Sequence, residues 1–245
     1  MVDARQNGVS HLMATDRGVV RNSPQDRSAW ERVLLTHLTP LALLAWRFTV
    51  MPLFPLLYDF VMARAERGRL GDWRARVVTA ARGRVLEIAA GTGLNFSHYD
   101  PSALVIGIDP DVSMLARAKG RAFHARAAIL LVVADAEALP FRDAAFDEGV
   151  GGLAMCTIPH PEGALAELLR TLVTGGQLRL LEHVRSPSFL VGRMQDLLTP
   201  FWRRAAGGCR LNRRTVEAVA KSSFVIDSTT SHAAGNVQES VARSP

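Results

Sequence analysis

The segment 85-VLEIAAGTGLNF-96 runs from a short apolar stretch straight into a glycine-rich turn. Residues 85–88 have the size and composition of a buried strand. Gly91 and Gly93 behind them let the backbone bend sharply and come close to a ligand. The third glycine of a dinucleotide-binding G-x-G-x-x-G is missing, because Leu94, Asn95 and Phe96 follow Gly93. Glu87 stands just ahead of the turn, where its charge would repel a pyrophosphate and attract a cationic ligand.

Working outward, strand and helix patterns alternate. Residues 104–108 read as a second strand closed by Asp109-Pro110. Residues 111–122 have helical spacing, with Met114, Leu115 and Ala118 on one face. A β-rich run at 129–133 precedes Asp135-Ala136. A fourth strand is expected at 146–150, weakened by the glycines of EGVGG. An amphipathic helix is expected at 162–172, stopped by Gly175-Gly176. A fifth strand follows at 177–181, a helix at 215–221 and a further strand from 224. This alternation predicts an α/β fold, a Rossmann-like doubly wound and mostly parallel sheet with helices on both faces.

A length of 245 residues suits one such domain with an N-terminal extension. Residues 1–28 read as a flexible tail, 29–80 as apolar N-terminal helices forming a lid, and 81–245 as the main domain. The most hydrophobic stretch, 38–58, contains Arg47, Pro40, Pro52 and Pro55. A central arginine and three prolines argue against a spanning helix. Broken helices packed over the core, or in peripheral contact with a bilayer surface, fit better. The net charge is +6, but only Lys119 and Lys221 are lysines and the arginines are scattered, so nucleic acid is not expected as a partner. Cys156 and Cys209 form no C-x-x-C motif, which leaves no metal site in view and fits a reducing cytoplasm. The first residues lack the apolar core of a signal peptide. No oligomeric state follows from the sequence.

Three acids stand at successive strand ends. Asp109 lies about 20 residues beyond the turn, where an acid accepts hydrogen bonds from ribose hydroxyls. Asp135, followed by Ala136, stands where a carboxylate can accept from an adenine amino group. Met114 is placed to lie against the adenine face. Glu87 ahead of Ala89, Gly91 and Gly93 suits a ligand carrying an ammonium and a sulfonium, which favours S-adenosylmethionine over a nicotinamide cofactor.

The strings VLEIAAGTGLNFSHY, GIDPDVSMLARA, ADAEALPF, FDEGV and LLEHVRSP together resemble the small-molecule class I methyltransferases, nearest the quinone, phospholipid and thiol branch. The resemblance covers about residues 58–224. It implies a seven-stranded sheet with N-terminal lid helices. It also implies a methionine-end pocket at Glu87, Gly91 and Gly93, a ribose contact at Asp109 with Pro110, an adenine contact at Asp135 and Ala136, and a lid element at Tyr58-Asp59. The segment 195–215 resembles an insertion of one bacterial subgroup and its membrane-associated animal relatives, in which Cys209 and Asn212 shape the acceptor side. The sequence departs from the family at Ala89, usually glycine, at EGVGG, and at Arg210, commonly histidine.

Methyl transfer depends on in-line positioning and exclusion of water, with a base only where the acceptor must lose a proton. His183 and Cys156 are the candidate catalytic side chains. His183 is the preferred acceptor contact, and Cys156 reads as a small wall residue. The expected function is methyl transfer from S-adenosylmethionine to a small apolar acceptor. A non-catalytic cofactor-binding module, motivated by the glycine-rich fourth strand, and a nicotinamide-dependent oxidoreductase are the readings from other classes.

Overall fold

The computed structural model describes residues 54–245. The expected tail at 1–28, the first part of the expected lid at 29–53 and most of the apolar stretch 38–58 lie outside the described residues. The chain enters through two helices, α1 (Phe54–Glu66) and α2 (Arg69–Thr79). The elements β1 (Arg84–Ile88), β2 (Leu104–Asp109), α3 (Val112–His124), β3 (Ala128–Val133), β4 (Phe146–Gly152), α4 (Pro161–Thr171) and β5 (Leu172–His183) then alternate as the sequence predicts. Helices α5 (Phe189–Ala205) and α6 (Thr215–Lys221) precede the closing strands β6 (Val225–His232) and β7 (Val237–Arg243).

The sheet order is β3-β2-β1-β4-β5-β7-β6, with β7 antiparallel to both neighbours and the first five strands parallel. The strand order reverses between β1 and β4, so the crevice for a ligand opens at their carboxyl ends. Both faces are covered, which is why β1 and β2 are apolar almost throughout. Leu86, Ile88, Ile106 and Ile108 point into one core layer with Phe141, Phe146, Leu165 and Leu168. Val85, Val105 and Val150 point into the other with Phe96, Tyr99, Val78 and Ala118. The two-residue period of a strand therefore puts Glu87 on the Val85 face.

Three local expectations change. β4 is a complete central strand of seven residues. A Cβ at Gly149 would lie 3.2 Å from Leu178, one at Gly151 2.9 Å from Leu180, and one at Gly152 2.8 Å from the Arg74 guanidinium. The glycines there allow close packing and do not weaken the strand. The double glycine also does not stop α4. The helix ends at Thr171, and Gly175, at φ 74°, is a turn inside the long β5 segment whose N–H donates to the Ser244 carbonyl. Finally, a helix of 17 residues, α5, begins ahead of the insertion at 195–215 and runs into it, with much of its apolar surface exposed. Among the described residues, no helix is long and apolar enough to cross a membrane.

Candidate active site

The turn after β1 fixes the geometry of the site. The Ala90 N–H donates to the Ile108 carbonyl at 2.8 Å, stitching the loop to β2. Ala89, Gly91 and Gly93 all have positive φ, at 47°, 56° and 82°. Gly93 is irreplaceable on space as well, because a Cβ there would lie 2.6 Å from the Phe96 ring. Gly91 faces open space, its virtual Cβ meeting only the Met114 Cε at 3.7 Å and the Ala89 carbonyl at 3.9 Å. Met114 therefore leans over the glycine turn.

Asp109, at the end of β2, is brought directly to that turn. Its Oδ2 accepts from the Gly91 N–H at 3.0 Å and its Oδ1 from the Asp111 N–H at 2.9 Å. Burial raises its pKa, while those two N–H groups pull it back. Asp111 caps α3 by accepting from the Ser113 and Met114 N–H groups, which fixes the helix that carries Met114. Pro110 is exposed beside it. Asp135 is exposed beyond β3 and accepts from the Glu137 N–H at 2.9 Å. The Ala136 methyl is in the core, so its backbone is what it can offer a ligand.

Glu87 lies beneath the turn, buried, accepting from the Asn95 amide at 2.9 Å and the Tyr99 hydroxyl at 2.7 Å. Burial pushes its carboxyl up to about 7, against the pull of Tyr99, Asn95 and Arg74. Asn95 in turn accepts from Arg74 at 2.5 Å, and Arg74 pairs with Glu66 at 2.8 Å. This buried chain runs from α1 through α2 to β1, and only Glu87 in it was legible in the sequence.

A second clasp joins α1 to the same turn. Asp59, buried, accepts from the Thr92 hydroxyl at 2.6 Å and from Arg121 at 3.0 Å, and also pairs with Arg117. Arg121 donates to the Thr92 carbonyl at 2.7 Å. Burial works against ionisation of Asp59, but Thr92, Arg117 and Arg121 together hold its pKa below the usual carboxylate range. The expected lid element at Tyr58-Asp59 was a sequence signal for the α1 side of this clasp, and the i and i+4 spacing of the two arginines on α3 is a signal for the other side. Tyr58, the neighbouring residue on α1, has its phenol pushed up to about 12 by burial, with Arg74 opposing and Cys156 adding to the rise.

On the other side of the crevice, Glu182 at the end of β5 is buried and accepts from the N–H groups of Ala154, Met155 and Cys156 at 2.9, 3.0 and 3.3 Å. Burial pushes it up to about 8 despite these bonds. It fixes the loop after β4, and with it Cys156. The Cys209 sulfur lies 3.7 Å from the Cys156 sulfur, a contact between positions 53 apart in sequence that no spacing rule signals. Next to Glu182, His183 has a buried Nδ1 with no partner among the described residues, and burial lowers its pKa.

Residues 86–180 match the family model described as a methyltransferase domain. The chain is 29% identical over 207 residues to thiol S-methyltransferase TMT1B of Rattus norvegicus, covering 78% of this chain and 84% of the relative. It is 37% identical over 142 residues to a demethylmenaquinone methyltransferase of Thermus thermophilus, covering 55% and 64%. A solved SAM-dependent methyltransferase of Thermotoga maritima, described as a possible histamine N-methyltransferase, superposes with TM-score 0.62 at 21% identity. That match covers 82% of this chain and all of the other, 100%.

The chain belongs to the class I S-adenosylmethionine-dependent methyltransferases.

In this methyltransferase the residues present fit the cofactor. The open cradle at Gly91 admits backbone approach that a side chain would block. Asp109 spends one lone pair on each oxygen to hold the loop and keeps others for hydroxyl donors. The enzyme is of the small-molecule branch. The sheet brings Glu87, Ala89, Gly91, Gly93, Asp109, Pro110 and Met114 to one turn. It places Asp135 and Ala136 beyond the neighbouring strand, and Cys156 and His183 at the ends of β4 and β5.

Proposed function

We propose that this methyltransferase acts on a small apolar acceptor that enters between α1, α5 and the loop after β4. The observation that carries this reading is the exposed apolar surface of α1 and α5. Leu56, Leu57, Phe60 and Val61 of α1 are exposed, as are Leu190, Met194, Leu197, Phe201 and Trp202 of α5. The two helices belong to one rim, since a Cβ at Gly207, just past α5, would meet the Phe54 ring of α1 at 2.6 Å. Apolar surface on this scale marks a ligand or membrane contact. The printed activities of the relatives, on thiols and on demethylmenaquinone, are of the same apolar or soft-nucleophile kind.

When bound, S-adenosylmethionine supplies an activated methyl group on a sulfonium. The chain's own residues then bind and orient. Glu87 and the glycine turn take the methionine end, Asp109 with Pro110 the ribose, and Asp135, Ala136 and Met114 the adenine. The α1 lid, carrying Tyr58 and clasped through Asp59, excludes water. His183, kept neutral by burial, can accept a proton from an acceptor such as a thiol. Cys156 walls the acceptor side. The same apolar rim supports peripheral contact with a bilayer, through which a lipophilic acceptor would arrive.

The test is methyl transfer to a panel matched in reactivity and graded in apolarity: an alkyl thiol, a lipophilic quinol and a hydrophilic thiol. Turnover on the apolar members and loss of about tenfold or more in kcat/KM with Phe201→Asp are expected, from the lost burial of one aromatic. Preference for the hydrophilic thiol, unchanged by Phe201→Asp, would overturn the apolar-acceptor reading.

A further inference from the structure

We propose that Cys156 and Cys209 form a reversible disulfide that fastens the segment after α5 to the loop after β4 and thereby gates the acceptor side. Both cysteines are free, and their sulfurs are already in contact at 3.7 Å. A disulfide needs about 2.0 Å, so the sulfurs must close by about 1.7 Å. The backbone has room to give on one side only. Cys156 is held by the Glu182 carboxylate through the N–H groups of residues 154, 155 and 156. Cys209 follows Gly207 and Gly208, both at positive φ, 57° and 93°, where a short adjustment costs little. The two segments are docked before any bond forms, because Arg210 donates its N–H to the Cys156 carbonyl at 2.9 Å and Arg213 donates to the Met155 carbonyl at 3.1 Å.

The chemistry assigns the order of events. Cys156 is buried and Cys209 half-buried, so an oxidant reaches Cys209 first. Contact with Cys156, against the pull of burial and with help from the Trp202 indole and Arg213, favours the Cys209 thiolate, while contact with Cys209 and burial disfavour ionisation of Cys156. With glutathione disulfide as oxidant, the Cys209 thiolate attacks one of its sulfurs and releases one glutathione thiolate. Cys156 then attacks the Cys209 sulfur of the mixed disulfide and releases the second. The protons of the two cysteines end on the two released glutathiones, which are reduced as the protein pair is oxidised. The resulting link closes the acceptor wall. That consequence rests on the acceptor reading above, whereas formation of the link does not.

The test uses the full folded chain, incubated with glutathione disulfide and read by intact mass and peptide mapping, with Cys156→Ser, Cys209→Ser and urea-unfolded protein alongside. The expected product is a chain lighter by two hydrogen atoms, free of adduct, with peptides containing Cys156 and Cys209 joined, and restored by dithiothreitol. Cys156→Ser is expected to stop at a glutathione adduct on Cys209. Cys209→Ser is expected to stay unmodified while folded. A folded wild type that retains both thiols, keeps glutathione on Cys209 or links between chains would overturn the proposal. Acceptor turnover is expected to fall at least tenfold on oxidation, with S-adenosylhomocysteine affinity changed less than twofold. Equal turnover in both forms would overturn the gating, and absence of turnover even when reduced would count against the acceptor reading and leave the mass result standing.

Discussion

Ala89 is a residue at which sequence and backbone disagree. The family resemblance implies glycine there, and the backbone would favour it: the φ of Ala89 is 47°, a left-handed conformation that costs a residue with a Cβ about 1–2 kcal/mol. Ala89→Gly is therefore expected to raise stability by about 1 kcal/mol, less whatever the freer unfolded chain takes back, and to leave S-adenosylhomocysteine affinity equal or better. Thermal melting with and without ligand checks this, and a lower melting temperature would show that the alanine methyl makes a compensating contact. Single residues were readable where chemistry and spacing coincide. Glu87, Gly91, Gly93 and Asp109 could be picked out because each sits at the end of a recognisable apolar strand. Arg74, Asn95 and Glu66 could not, since their pairing depends on how α2 crosses behind β1, and nothing in a linear pattern encodes that crossing. The meeting of Cys156 with Cys209 is hidden for the same reason.

At the level of elements, the joint between α1 and the glycine turn rests on Asp59. Its carboxylate faces Thr92, Arg117 and Arg121, and the two guanidiniums are left facing one another if it is removed. Asp59→Asn is expected to destabilise the chain by about 1–2 kcal/mol at neutral pH, a charged hydrogen bond discounted because both arginines are more than a third exposed. The folded pKa of Asp59 lies below its unfolded value, so its contribution is full above the ordinary carboxylate range and fades as pH falls through the lowered value. Melting curves of wild type and variant should accordingly differ most at pH 7 and draw together as pH falls below the ordinary carboxylate range. A gap that persists at low pH would mean the clasp is steric. The strands and helices between β1 and α4 were legible because their apolar periods are clean. β4 looked weak only because a glycine lowers strand propensity in isolation, whereas here its missing side chain is what lets Leu178, Leu180 and Arg74 approach. The double glycine at 175–176 looked like a helix stop because the C-terminal glycine rule is local, while the register of β5 beside β4 is not. Helix α5 is strongly amphipathic, but much of its apolar side faces outward rather than into the core.

At the scale of the molecule, one sheet carries two sides of a reaction. The ends of β1 and β2 gather the glycine turn, Asp109 and Met114, while the ends of β4 and β5 gather Cys156, Glu182 and His183. The reversal of strand order between β1 and β4 opens the crevice that keeps the two groups adjacent. The family was legible from the first group, whose spacing is set by the cofactor. Cys156 and His183 of the second group were singled out as candidates at strand ends, but how Cys156 meets Cys209 was not legible, because those segments are far apart in sequence. The most direct measurement is calorimetric titration of the purified chain with S-adenosylhomocysteine, beside Asp109→Ala and with NAD as a control ligand. Binding by wild type, a loss of about ten- to a hundredfold in Asp109→Ala, equivalent to one or two hydrogen bonds to a charged group, and no heat with NAD are expected. Equal affinity in Asp109→Ala, or preference for NAD, would contradict the assignment of this turn as the cofactor site.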